Sequence, residues 1–82
     1  MIAYFVYAIQ SQTDKRIYVG ISKDPKGRLI SHNNGETKST KGYCPWILIY
    51  SELVGSRKDA REEEKRLKSG YCKEWLKNIA PL

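Results

Sequence analysis

From Ile2 to Gln10 the chain is almost continuously apolar and rich in aromatic and β-branched residues, so it reads as a strand. Ser11 to Lys15 is a polar turn. Arg16 to Ile21 then alternates cleanly, with Ile17, Val19 and Ile21 on one face and Arg16, Tyr18 and Gly20 on the other. The two runs predict an antiparallel hairpin. A turn centred between Gln12 and Thr13 places Tyr7 opposite Tyr18, on a face shared with Phe5 and Gly20. The other face gathers Val6, Ala8, Ile17, Val19 and Ile21 into a core. A slip of one residue would exchange the two faces.

Asp24 suits a helix N-cap and Pro25 the first turn, where no N–H is needed. Asn34-Gly35 closes that helix, because glycine readily takes the left-handed cap conformation. The pattern predicts a helix from about Pro25 to Asn33, then a polar loop over residues 35 to 45. WILIY, from Trp46 to Tyr50, is too short and too β-branched for a helix. It reads as a strand buried on both faces and extending to about Val54. Ser56 and Asp59 resemble a capping box at the start of the next helix, which runs to near Gly70. A final amphipathic piece, Tyr71 to Ile79, sets Trp75, Leu76 and Ile79 on one side. The order strand, strand, helix, strand, helix, helix is met economically by a small mixed α+β domain. One such domain would occupy residues 1–82.

The second helix carries an anomaly. Ala60 and Leu67 are its only good candidates for an inward face, and Glu64 lies on the same stripe. Glu62 and Glu63 fall to the flanks and reach water. An inward carboxylate is costly unless it is paired or holds a metal. In a basic chain it points to a cation site, although a charge that snorkels to water has the same helical position.

Composition narrows the partners. Fifteen Lys and Arg against nine Asp and Glu give a net charge of +6, which favours a polyanion, most commonly nucleic acid. No apolar run approaches the length that spans a membrane, and the start has no basic segment or cleavage site of a secretory signal. These features predict a cytoplasmic protein with no membrane association; no protein partner or oligomeric state is legible. Cys44 and Cys72 stand in no CxxC arrangement, and only His32 could add a nitrogen, so they read as free thiols rather than zinc ligands.

Arg28 and His32 lie four residues apart on one helical face. Arginine suits phosphate through its planar fork, and histidine moves a proton near neutral pH. Taken singly, Tyr7 and Tyr18 read first as core filling, Arg28 as a surface residue and His32 as a helix-end cap. Together, two phenols, a guanidinium, an imidazole and an inward acid are the parts that phosphodiester hydrolysis needs. No serine–histidine–acid grouping, second inward acid or phosphate-binding glycine loop supports another hydrolytic chemistry.

In their order and spacing these residues resemble the GIY-YIG nucleases. Phe5-Val6-Tyr7 stands at GIY and Tyr18-Val19-Gly20 at YIG, with ten residues between the triplets. Asp24 to Gly35 resembles the family's arginine-bearing helix, Pro45 to Glu52 its third strand, and Ala60 to Lys68 its AxxxExxLK helix. The small stand-alone bacterial members are the most similar subgroup, and the same module forms the N-terminal nuclease domain of excinuclease C. The resemblance implies a three-stranded antiparallel sheet flanked by two to three helices. It implies a metal-dependent DNA endonuclease, structure-selective rather than sequence-specific, of the kind used in DNA repair or recombination. Glu64 would hold one divalent cation, Mg²⁺ or Mn²⁺. Tyr18 would accept a proton from the attacking water or orient it, and Tyr7 would bond the scissile phosphate or the nucleophile network. Arg28 would stabilise phosphate charge, with His32 assisting. DNA would cross Lys23, Lys26, Lys38 and Lys41.

Three positions depart from the family pattern. Phe5 replaces the first glycine, Ile21 stands where the excinuclease branch has lysine, and Asn78 is the only candidate for a late asparagine. Two other readings compete: a nucleic-acid-binding module without turnover, and an interaction domain whose tyrosines and arginine are structural.

Overall fold

The first apolar run becomes the central strand. The structure, a computed structural model, describes residues 3–80. It contains β1 (Tyr4–Ser11), β2 (Ile17–Ser22), α1 (Pro25–Asn33), a 3-10 turn (Lys41–Tyr43), β3 (Trp46–Gly55), α2 (Arg57–Leu67) and α3 (Gly70–Ile79). The three strands form an antiparallel sheet in the order β2-β1-β3, so the fold is α+β with a three-stranded sheet and three helices. Ile2, where the sequence pattern starts the first strand, lies outside the described residues.

The hairpin register differs by two residues from the expected one. Tyr7 pairs with Gly20, and Tyr18 pairs with Ile9. The connecting loop is longer than a tight turn. The Ser11 N–H donates to the Arg16 carbonyl at 2.9 Å, the Lys15 N–H donates to the Ser11 carbonyl at 3.0 Å, and Lys15 has a φ of 67°. A shift of two preserves the faces, because side chains alternate with period two. Val6, Ala8 and Val19 therefore pack with Leu67, Cys72 and Leu76 on one side of the sheet. Tyr7, Ile9 and Trp46 form a second cluster on the other side, with Tyr18, Leu29 and Leu48 packed against it.

β3 is an edge strand rather than one buried on both faces. Trp46 is buried, Ile47 to Tyr50 are half-buried, and Ser51 to Leu53 are exposed. A continuous apolar run reports contact above and below a strand but not whether a strand lies on each side. A register shift between Ala8 and Ile9, whose partners are Tyr50 and Leu48, leaves Ile49 as an extra residue. Ile49 and Tyr50 consequently both pack towards α2 and α3.

The caps follow the expected chemistry. Asp24 accepts from the Gly27 N–H at 3.2 Å, and Ser56 accepts from the Asp59 N–H at 3.1 Å. Gly35 closes α1 with a φ of 76°. α2 is shorter than expected and ends at Leu67, because Ser69 caps a separate helix. In α3 the inward residues are Cys72 and Leu76. Trp75 and Ile79 are 44% and 41% exposed and do not share that inward face. Trp75 instead lies edge-on to Tyr50, with centroids 5.5 Å apart, at the margin of the core.

Candidate active site

Tyr7 is held on β1 with its ring lying across Gly20 of the neighbouring strand. A Cβ at position 20 would stand 2.9 Å from the Tyr7 hydroxyl and 3.1 Å from the Tyr18 ring. The glycine is thus a spatial requirement of the two tyrosines rather than a turn residue. Tyr18 lies diagonally from Tyr7, with ring centroids 6.4 Å apart. α1 brings His32 onto the same face. Its ring meets Tyr18 edge-on at 4.9 Å, and its Nε2 lies 3.0 Å from the Tyr7 hydroxyl.

The partners of His32 fix its tautomer. Its Nδ1 lies 2.8 Å from Thr40 Oγ1, and that hydroxyl lies 3.3 Å from the Thr37 carbonyl. With the Thr40 proton directed at the Thr37 carbonyl, which can only accept, Oγ1 is left to receive the Nδ1–H of His32, and this is the assignment adopted for the ring. Nε2 is then the acceptor for the Tyr7 O–H. A directed chain runs from Tyr7 through His32 and Thr40 to the Thr37 backbone. Tyr7, His32 and Thr40 are each no more than 1% exposed, so bulk water competes little for these hydrogen bonds. The Trp46 indole donates to the Thr40 carbonyl at 3.0 Å. Asn33 clamps the start of β3: its Oδ1 accepts from the Trp46 N–H at 2.6 Å, and its Nδ2 donates to the Trp46 carbonyl at 3.0 Å. Trp46 thereby ties Thr40 to β3, and Asn33 ties β3 to α1.

Burial and charge tune these groups. Burial pushes the Tyr7 phenol above its ordinary range, while hydrogen bonding to Arg28 pulls it partly back. Burial lowers the His32 imidazole, and the positive charge of Arg28 lowers it further. Both effects favour the protonation states that the hydrogen bonds require, a neutral phenol donating to a neutral imidazole.

Glu64 occupies the buried stripe of α2 between Ala60 and Leu67, as its helical position predicts. Its charge is met by one cation of the helix and one at its C-cap. Arg61 Nη1 approaches one oxygen at 3.4 Å and Lys68 Nζ the other at 3.2 Å. The field of Glu64 reaches Tyr7, opposing loss of its proton. Tyr7, Tyr18, His32 and Arg28 therefore converge, whereas Glu64 is engaged by cations on α2 and is linked to Tyr7 through its field alone. Lys23 and Lys26 line a neighbouring cleft, while Lys38 and Lys41 are exposed in the loop on either side of Thr40. Asn78 is exposed on α3, and Ile21 packs into the opposite core.

The donor set discriminates among metals. Among the described residues no three His, Cys, Asp or Glu side chains cluster, and both ring nitrogens of His32 are engaged. That does not suit zinc, which takes four nitrogen, sulfur or carboxylate ligands. A single carboxylate does suit Mg²⁺ or Mn²⁺, which keep several waters and share substrate phosphate.

Thr40 and Gly20 were not singled out as site residues by sequence reasoning. A threonine in a polar loop carries no periodic signal. Gly20 had one available, an isolated glycine inside a strand that marks close approach by another group.

The sequence pattern of the GIY-YIG catalytic domain matches residues 3–78, and the chain belongs to that family. A UPF0213 protein of Staphylococcus saprophyticus is 32% identical over 78 residues, covering 94% of each chain. Another from Staphylococcus epidermidis is 35% identical over 77 residues, covering 93% of each. The solution NMR structure of a UPF0213 protein from Bacillus halodurans superposes with a TM-score of 0.56 at 28% identity. That match covers 94% of this chain and 84% of the other. The relatives are thus small proteins of similar length, and the family is one of nucleases.

Proposed function

We propose that this protein is a divalent-metal-dependent endonuclease that hydrolyses a phosphodiester in one DNA strand, leaving a 5′-phosphate and a 3′-hydroxyl. The observation that supports it best is the buried hydrogen bond from Tyr7 to His32, with the imidazole tautomer fixed by Thr40. A neutral histidine that accepts from a phenol is a base reached through a relay. As a water oxygen attacks phosphorus, the Tyr7 oxygen takes a water proton and passes its own to His32 Nε2. Concerted transfer avoids a free phenolate, which the buried setting of Tyr7 disfavours. The P–O3′ bond breaks and the leaving oxygen takes a proton from solvent. Tyr18 orients the water from the edge of the imidazole. Arg28 bears on the phosphorane charge, and the incoming phosphate offsets its repulsion of the imidazolium. Glu64 would hold the cation, which when bound would supply positive charge to the phosphate and a more acidic water. With a small basic footprint, binding is salt-sensitive and poor in sequence readout, so substrate structure rather than sequence directs cleavage.

Incubation with branched and single-stranded DNA in Mn²⁺ tests this reading. Cleavage by the parent and none by Glu64→Gln is the expected result. No cleavage by the parent, or equal cleavage by both, would refute it.

A further inference from the structure

α1 covers only part of the face that carries Tyr7. Phe5 precedes Tyr7 by two residues on β1, so the two side chains leave the same face about 6.6 Å apart. Phe5 belongs to neither apolar cluster and is half-buried. Beside it opens a cleft of about 330 Å³, walled by Phe5, Pro25 and Leu48, with Ser51, Asp24 and two lysines, Lys23 and Lys26, around it; the Asp24 carboxylate is engaged by the Gly27 N–H as the cap of α1. The extra residue in β3 creates this shape, since turning Ile49 and Tyr50 to the opposite core leaves Leu48 and Ser51 facing Phe5. Lys23 lies over the Tyr4 ring, 5.6 Å from its centroid, which holds its ammonium beside the start of β1. Leu53, paired with Phe5 across the sheet, is 57% exposed and extends the apolar surface outwards.

We propose that this cleft seats an unpaired nucleobase of the substrate strand, stacked on Phe5 next to the scissile phosphate, with the adjoining phosphate held by Lys23 and Lys26. The inference rests on the nuclease reading of the Tyr7 site. Its chemistry is that of single-strand binding surfaces: an aromatic face for the base and cations for the backbone. A base paired within a duplex has both faces covered and cannot enter. One that has left the stack can, and the B-form rise of about 3.4 Å per nucleotide lengthens as it does so. The spacing of Phe5 from Tyr7 then matches a neighbouring nucleotide. Stacking tolerates any base, so the cleft confers register on the strand rather than sequence choice. The Ser51 hydroxyl offers one hydrogen bond to a base edge.

The test uses the full chain, with the cut position first mapped in Mn²⁺. Binding of a single-stranded oligonucleotide is then measured in chelator by fluorescence anisotropy while an abasic site is moved through the positions flanking the cut. One flanking position should weaken binding by the parent roughly 5- to 100-fold, and Phe5→Ala should weaken binding of the intact strand by a similar factor. Combining the two should cost no more than either alone, and Phe5→Trp should bind at least as well as the parent. Equal binding at every abasic position, or losses from Phe5→Ala that add fully to each abasic loss, would overturn the proposal while leaving the nuclease reading intact. A parent that cleaves no DNA and binds no oligonucleotide would overturn both.

Discussion

The Tyr7 hydroxyl donates to His32 Nε2 at 3.0 Å, joining β1 to α1 across 25 residues of sequence. Three features create that bond: a glycine opposite the tyrosine, a helix begun by Asp24-Pro25, and a loop threonine behind the imidazole. Each can be changed separately.

Thr40→Val keeps the shape of the side chain but removes the acceptor for His32 Nδ1–H. The tautomer is no longer fixed, and a buried N–H is left unpaired at a cost of about 1–3 kcal/mol. Single-turnover cleavage should fall about tenfold or more with little change in DNA affinity. Thr40→Ser, which retains the hydroxyl, should recover most of the rate. A rate for the folded valine variant equal to that of the parent would place Thr40 outside the relay.

Gly20→Ala should move the Tyr7 hydroxyl, because the new methyl would stand 2.9 Å from it and β1 leaves the ring little room. Overpacking of this kind costs about 1–3 kcal/mol in stability. A displacement near an ångström costs about 100-fold in rate. Chemical denaturation and cleavage assays on the same preparation separate the two effects.

His32 gives the protein a pH dependence of known sign. Its imidazole is depressed below its ordinary 6.5 in the folded chain, so in mildly acid solution the unfolded chain binds more protons. Stability should therefore be full above about pH 6.5 and decline as pH falls through the unfolded value, by up to about 1.4 kcal/mol per pH unit. His32→Gln should flatten that decline in thermal melts between pH 7 and 5. Cleavage should show an acid limb centred below 6.5. It should show no loss from Tyr7 ionisation up to pH 9, since that phenol is raised above 10.

Arg28→Ala removes the charge that depresses His32 and assists Tyr7. The acid limb of the cleavage profile should move to higher pH, and the plateau should drop by about 10²–10³-fold. A lower plateau with an unmoved limb would confine Arg28 to the phosphate.

Local chemistry was legible from the residues alone. The Asp24 cap, the Gly35 stop and the inward position of Glu64 each depend on neighbours within one or two turns, and the structure has all three. The family follows from five short motifs in order, because such spacing survives when each motif is degenerate. Features set by distant contacts were not legible. The hairpin register depends on a Ser11-centred loop with Lys15 at positive φ, where no glycine or asparagine signals the turn. The apolar run of β3 concealed an edge position, and helical periodicity alone did not separate Leu76 from Trp75 and Ile79. Thr40 reaches His32 through a fold of the loop that no local pattern encodes.

The most direct measurement is single-turnover cleavage of DNA in Mn²⁺ by Tyr7→Phe, with binding and melting recorded on the same preparation. Removing one oxygen deletes the relay while preserving the ring that fills the core. The rate should fall at least about 100-fold with DNA binding retained. Cleavage at the parental rate by folded Tyr7→Phe would contradict the relay and leave the Tyr7–His32 bond a purely structural one.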